Sequence, residues 1–253
     1  MVSDQLIQLD AGYENVVAVC PKCTVRNVYN RADDIGHFNP IANGRVACAD
    51  CGAAFTIGGD LVNAAHEMLL LDSNDFLREK RYVQAVLSAT TAYEVFFNHF
   101  LLVELVFRPL NRDRVNTRDI DQIAWLNDTS ALLRDKISKF TFEPMRRTFL
   151  RFAIERIAVG TVAQAEACIN TISKRPKRVE RATVAHHTDE RLRTLLLRLY
   201  DSDIAELRNN IVHKTAYRPT RSETRSVVED ATYTIANLTN HFGLGNVNYH
   251  LNE

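Results

Sequence analysis

The six residues Arg208-Asn209-Asn210-Ile211-Val212-His213 put an arginine, an amide and an imidazole on the last turns of an expected helix. Metal-independent RNA cleavage needs such groups. A guanidinium holds a phosphate and the charge that develops on it, and an imidazole moves protons near neutral pH. The spacing is short, and an arginine-rich helical chain generates it by chance, so its weight depends on the surrounding sequence. Four cysteines carry the second chemical pattern. Cys20-Pro21-Lys22-Cys23 and Cys48-Ala49-Asp50-Cys51 are two C-x2-C pairs with 24 residues between them. A C-x2-C turn sets two thiolates on one edge of a tetrahedron, the geometry of a structural Zn2+ site. Disulfides are the rival reading, strained at such short range within each pair and disfavoured in a reducing compartment. Four cysteine ligands leave no open position, so this Zn2+ is expected to be structural and catalysis to use no metal. Cys168 lies on an expected helix far from the pairs and reads as a small apolar residue.

Each cysteine pair follows a short β-prone run, Val16–Val19 and Arg45–Ala47, and each precedes another, Thr24–Tyr29 and Ala53–Ile57. Strand, knuckle, strand, twice over, describes a zinc ribbon over residues 1–59. So short a module buries little apolar surface, so the metal must supply much of its folding free energy. From residue 60 to 253 the patterning is helical. Asp60 is a candidate N-cap for a helix to about Leu71, and Ser73 or Asn74 for a short one over Asp75–Lys80. From Tyr82 to Phe107 an apolar stripe at the 3.6-residue period includes Val86, Tyr93, Phe97 and Phe100, and Arg108-Pro109 is expected to end it. Further amphipathic segments run from about Arg118 to Phe140, Pro144 to Ala158 and Val162 to Ser173. Lys174–Val184, with Pro176 and five basic residues, reads as a loop. A long helix is expected from about Asp189 to Val212, with a break near Asp201, and a last one from Ser222 to His241, ended by Gly243.

On the helix carrying the first motif, Ile211 is taken as the centre of the buried stripe, with Tyr200, Ile204 and Leu207 near it. Asn209 and His213, four residues apart, then share the opposite face, whereas Arg208 lies roughly 140° round from His213. Three routes would bring the pair together: a swing of the arginine side chain, unwinding of the helix toward Lys214, or a second copy of the chain.

The chain has 253 residues and zero formal net charge, which argues against a general polyanion coat. Basic residues nevertheless outnumber acidic ones from Glu143 to Arg221, as a phosphate-rich ligand would require. No N-terminal export signal is visible. The longest apolar stretch, Val95–Phe107, is interrupted by Asn98, His99 and Glu104 and reads as too short for a bilayer. A cytoplasmic protein without a membrane partner is expected. There is no phosphate-binding glycine loop, G-x-S-x-G or H-E-x-x-H, and the adjacent His186 and His187 point to different sides of a helix.

The Arg-Asn-x-x-x-His string at a helix end, followed by Arg218-Pro219-Thr220-Arg221-Ser222-Glu223 and a last helix, resembles the HEPN superfamily. The upstream segment Ala85–Glu94 is similar to the first core helix of that family. The resemblance covers Glu79–Phe107 and Asp201–Phe242 and leaves about 110–191 as an elaborated middle segment. It implies a mainly α chain: an all-helical four-helix bundle over 60–253, preceded by the small β-rich ribbon. It further implies a homodimer that cleaves RNA without metal, with Arg208 and His213 as the catalytic pair and Asn209 as the polar residue beside the arginine. The two motif copies would face each other across the dimer axis. Such nucleases serve as toxins or antiviral effectors, with an antitoxin or defence partner. The subgroup controlled by tyrosine adenylylation carries a Tyr two residues after the His; Thr215 stands there instead, and the nearest Tyr is Tyr217. The alternative is a non-catalytic zinc-ribbon and helical module that binds RNA or protein. A third reading, a ribbon-bearing subunit of a transcription or defence complex, rests on the cysteines alone. Glu94, set in an apolar stretch, would be costly to bury unpaired, and Arg208 is a candidate partner.

Overall fold

Val16 and Ala18 are buried while Asn15 and Val19 are exposed, the alternation of a half-buried strand. That pattern recurs along the N-terminal region of the computed structural model, which describes residues 7–8, 10–36, 41, 43–58, 64–111, 122–155, 159 and 162–244. Six strands form there: β1 (Ile7–Gln8), β2 (Asp10–Ala11), β3 (Asn15–Val19), β4 (Arg26–Asn30), β5 (Gly44–Ala47) and β6 (Ala54–Gly58). They make two three-stranded sheets. One runs β2-β3-β4, all antiparallel; the other runs β1-β6-β5, with β1 parallel to β6. Val16, Ala18, Tyr29, Val46, Phe55 and Ile57 fill the core around Cys20 and Cys48.

The rest is helical: α1 (Ala65–Arg78), α2 (Tyr82–Leu102), α3 (Arg108–Asn111), α4 (Gln122–Ile137), α5 (Phe142–Glu155), α6 (Val162–Asn170), α7 (Arg181–Ala185), α8 (Glu190–Asp201), α9 (Ile204–His213) and α10 (Arg221–Phe242). The chain divides into two compact units, residues 1–92 with 220–228, and 93–219 with 229–253. In the first unit the ribbon meets α1 through Asp72, whose two carboxylate oxygens each accept from the Tyr13 amide at 3.2 Å. Burial pushes the Asp72 carboxyl up, and the Tyr13 amide pulls it back. Helices α1 and α2 are stitched by hydroxyls: Ser73 donates to the Ala85 carbonyl and Ser88 to the Leu69 carbonyl, both at 2.8 Å. In the second unit aromatic rings make the core. Phe97 stacks on Phe149 with centroids 5.0 Å apart, and Phe100 meets both Phe149 and Phe242 edge-on at 4.8 Å.

Several helical boundaries differ from expectation. Residues 65–78 are one helix, because Ser73 and Asn74 bond back to carbonyls within the bundle (Asn74 to Leu70 at 2.8 Å) and do not cap a new start. Pro109 does not stop the chain's helical course. Val103–Phe107 widens into a π-helical turn that runs on through Arg108, itself in the right-handed helical conformation, into α3, so Pro109 follows a local irregularity of the helix and does not end it. The expected loop 174–184 contains the start of α7, held by a two-bond pair from Arg181 to Asp201 at 2.9 and 2.7 Å. The break expected near Asp201 is present at Ser202–Asp203, where it parts α8 from α9. Tyr82–Phe107 forms a helical run of 26 residues that is long and apolar enough to cross a membrane, unlike the shorter stretch read from sequence. More than half of its most apolar 18-residue stretch is buried in the protein, as in a core helix. The Asp60 cap and the start near Arg118 lie outside the described residues.

Candidate functional site

The two cysteine turns are built alike. In the first, the Cys20 amide donates to the Val25 carbonyl and Thr24 donates back to Cys20. In the second, Cys48 donates to Ala53 and Gly52 back to Cys48 (2.9 to 3.0 Å throughout). The residue after each second cysteine turns left-handed, Thr24 at φ 62° and Gly52 at φ 67°. Glycine adopts this freely, whereas threonine does so at a cost of about 1 kcal/mol. These turns bring the four sulfurs within 4.8 Å of one another. Across the pairs, Cys20 Sγ lies 3.7 Å from Cys51 Sγ, and Cys23 Sγ 3.6 Å from Cys48 Sγ. All four cysteines are free thiols, so the rival disulfide pairing is not formed. A tetrahedral ion bonded to four sulfurs at ~2.3 Å has sulfur–sulfur edges of ~3.8 Å, so the set fits a metal ion.

The electrostatics agree with that fit. The backbone amides of Cys51 and Asp50 pull the Cys48 thiol down to about 6, and the Cys20 thiol is also lowered. Cys23 is different: the Val25 amide favours its thiolate, yet burial and the neighbouring sulfurs of Cys51, Cys48 and Cys20 push it up to about 12. Four thiolates this close repel one another, and a divalent cation removes that repulsion.

The second site lies on α9. Ser202–Asp203 breaks the helical run and restarts it, so Ile204 and Leu207 face inward and are buried. Ile211 is only half-buried and Val212 is half-exposed, which moves the centre of the buried stripe toward the start of α9. The helix stays regular to His213, and the Lys214 amide closes its last turn on the Asn210 carbonyl at 3.0 Å. Unwinding therefore does not bring Arg208 and His213 together. The side-chain swing goes part of the way: Arg208 Nη1 donates to Asn209 Oδ1 at 3.3 Å, which draws the guanidinium toward the face Asn209 shares with His213. Asn209 and His213 are exposed, and Arg208 is half-buried. Among the described residues, no hydrogen bond or ion pair joins His213 to Arg208.

Glu94 on α2 completes this neighbourhood. Burial pushes its carboxyl up, while the Arg208 charge and the Phe142 amide pull it back. The Arg208 charge thus reaches Glu94, while its hydrogen bond goes to the Asn209 amide oxygen. The turn after α9 ends in a reciprocal cap. The Thr220 amide donates to Glu223 Oε2 at 2.7 Å and the Glu223 amide to Thr220 Oγ1 at 3.2 Å, which is a capping box. Part of the basic excess of the middle segment is ion-paired. Arg146 and Arg147 bond Glu143, Arg151 bonds Glu155, and Arg198 pairs with Asp230. Arg146 also donates to the Leu199 and Tyr200 carbonyls near the end of α8, where a cation suits the helix dipole. His186 and His187 bond the Ala182 carbonyl and the Asp189 backbone and belong to no metal-ligand cluster among the described residues. No protein-family model matches the chain, and neither a curated protein nor a solved structure is significantly similar to it.

Proposed function

We propose that the protein is a metal-independent endoribonuclease of HEPN type, whose working groups are Arg208, Asn209 and His213. Carrying the reading is the contact from Arg208 to Asn209, which turns the guanidinium toward the exposed face bearing His213. The HEPN-like sequence at these positions and the helix end that presents them add support. In the proposed reaction the RNA 2′-oxygen bonds to the adjacent phosphorus and the bond from phosphorus to the 5′-oxygen breaks. His213 takes the 2′-OH proton, and an imidazolium returns a proton to the departing 5′-oxygen. Arg208 neutralises the charge gathering on the phosphoryl oxygens. The products are a 2′,3′-cyclic phosphate and a 5′-OH, and DNA, lacking the nucleophile, is not cut. Two copies of the chain would assemble the site, since one chain does not pair Arg208 with His213. A role as toxin or antiviral effector follows if cleavage is broad.

The test is direct. Cleavage of total RNA should persist with EDTA in the reaction, and His213→Ala and Arg208→Ala should each lower it by a factor on the order of 100 or more. Activity retained in both variants would remove the reading. One observation favours a non-catalytic binding module instead: among the described residues no side chain or carbonyl orients the His213 ring, as a general base is usually oriented. Toxicity on expression that His213→Ala relieves would decide against that alternative.

The four thiolates are proposed to hold Zn2+ in a purely structural role. The purified protein should carry about one zinc per chain.

A further inference from the structure

Five of the basic residues of the middle segment gather around one cavity. Between α5 and the stretch 171–179 lies a cavity of about 500 Å3. Its inner wall is apolar: Phe152 and Ile172 line it and are 4% and 5% exposed. Its mouth is cationic. Arg147, Arg151, Arg175, Lys177 and Arg178 line it against a single acid, Glu155. Arg147 and Arg151 are anchored by Glu143 and Glu155, and Arg178 by the Tyr200 hydroxyl at 2.9 Å, with its guanidinium carbon 5.6 Å from the centre of that ring. Arg175 and Lys177 are exposed, and no carboxylate among the described residues pairs with either. A second, smaller cavity of about 260 Å3 shares Arg147 and Arg178 and adds Arg146, Tyr200 and the acid Glu143, which pairs with both Arg146 and Arg147.

We infer that this cleft binds the phosphodiester backbone of single-stranded RNA, one nucleotide entering the cavity while Arg175 and Lys177 take flanking phosphates. Inorganic phosphate would use the cationic mouth and leave the apolar wall idle. A nucleotide has both an anionic and an apolar part, and the volume is of small-ligand size. A paired base in a duplex could not enter, so the strand is single. Anchored arginines cost little further ordering on binding, whereas Arg175 and Lys177 supply charge that no carboxylate among the described residues neutralises. The choice of RNA as source of the nucleotide rests on the nuclease reading above; the cleft's chemistry does not.

The experiment uses the full chain with His213→Ala, so that RNA survives the titration, and compares it with the same protein carrying Arg175→Ala and Lys177→Ala. Binding of a fluorescein-labelled single-stranded RNA of about 12 nucleotides is followed by anisotropy as salt rises from about 0.1 to 1 M. Loss of two phosphate contacts should lower the slope of log affinity against log salt by about 1.4 and weaken binding on the order of twentyfold at the low end. The circular dichroism spectrum should not change, because neither side chain has a partner to lose. Unlabelled ATP at about 1 mM should fail to displace the RNA. Equal affinity and slope in the two proteins, or no RNA binding in either, would overturn the inference. Displacement by micromolar ATP would overturn it too, assigning the cleft to free nucleotides. Failure of the nuclease reading shows separately, as no cleavage by the unmutated protein while this binding persists.

Discussion

Arg208 bonds the side-chain oxygen of Asn209, and its charge offsets part of the burial that pushes the Glu94 carboxyl up. The sequence places these residues on helices and gives the angle between Arg208 and His213 from 100° per residue. It cannot give the direction in which a long side chain leans, because that depends on the groups that packing sets beside it. For the same reason the unpaired state of Arg175 and Lys177 was hidden among many basic neighbours that do find carboxylates. His99 offers a residue-scale prediction. Burial pushes its imidazole below the usual histidine value, and a bond to the Leu244 backbone pulls it partly back. The unfolded chain therefore binds a proton that the folded chain resists. Stability from this group is intact above the unfolded value of about 6.5 and is lost as pH falls through and below it. Urea midpoints should drop over that acid range, and His99→Gln should flatten the drop. An unchanged pH slope in the variant would contradict this account of His99.

Helix ends were legible where a side chain signals them locally. Asp189 caps α8 by accepting from the Leu192 amide at 2.9 Å, and Thr220 with Glu223 caps α10. Strand pairs flanking the knuckles were legible for a similar reason, since each C-x2-C turn is short and closes its own hairpin. Boundaries set by distant contacts were not legible. Helix α7 depends on Arg181 reaching Asp201, and the unity of α1 on Ser73 bonding a carbonyl of α2. The capping box supports a quantitative expectation: Thr220→Ala removes one half of the reciprocal pair and should destabilise the protein by about 1 kcal/mol in urea unfolding. A loss within error of zero would mean that Glu223 alone holds the start of α10.

At the scale of the whole chain, a small β-rich region carries four clustered thiols and a larger helical part carries the proposed nuclease groups. Among the described residues, the large buried side chains of the β-rich region are Arg31, Tyr29, Phe55, Ile41 and Ile57, so metal binding should supply much of its stability. A strong chelator should release the zinc and unfold this region while the helical far-UV dichroism signal persists. Protein that holds no zinc, or that loses helix and metal together, would contradict the structural role assigned to the cysteines. Fold class was legible from the cysteine spacing and the helical period. The assembly was not, because the roughly 140° between Arg208 and His213 only says that a single helix does not join them.

That misfit makes the shared site the central claim, and complementation tests it most directly. His213→Ala and Arg208→Ala chains, each inert alone, are co-expressed so that mixed dimers form. Each mixed dimer then holds one complete pair, an arginine from one chain and a histidine from the other. Cleavage should return to about a quarter of the unmutated rate, since half the dimers are mixed and each has one working site of two. A mixture as inert as its components, beside an unmutated protein that cuts RNA, would contradict the shared site.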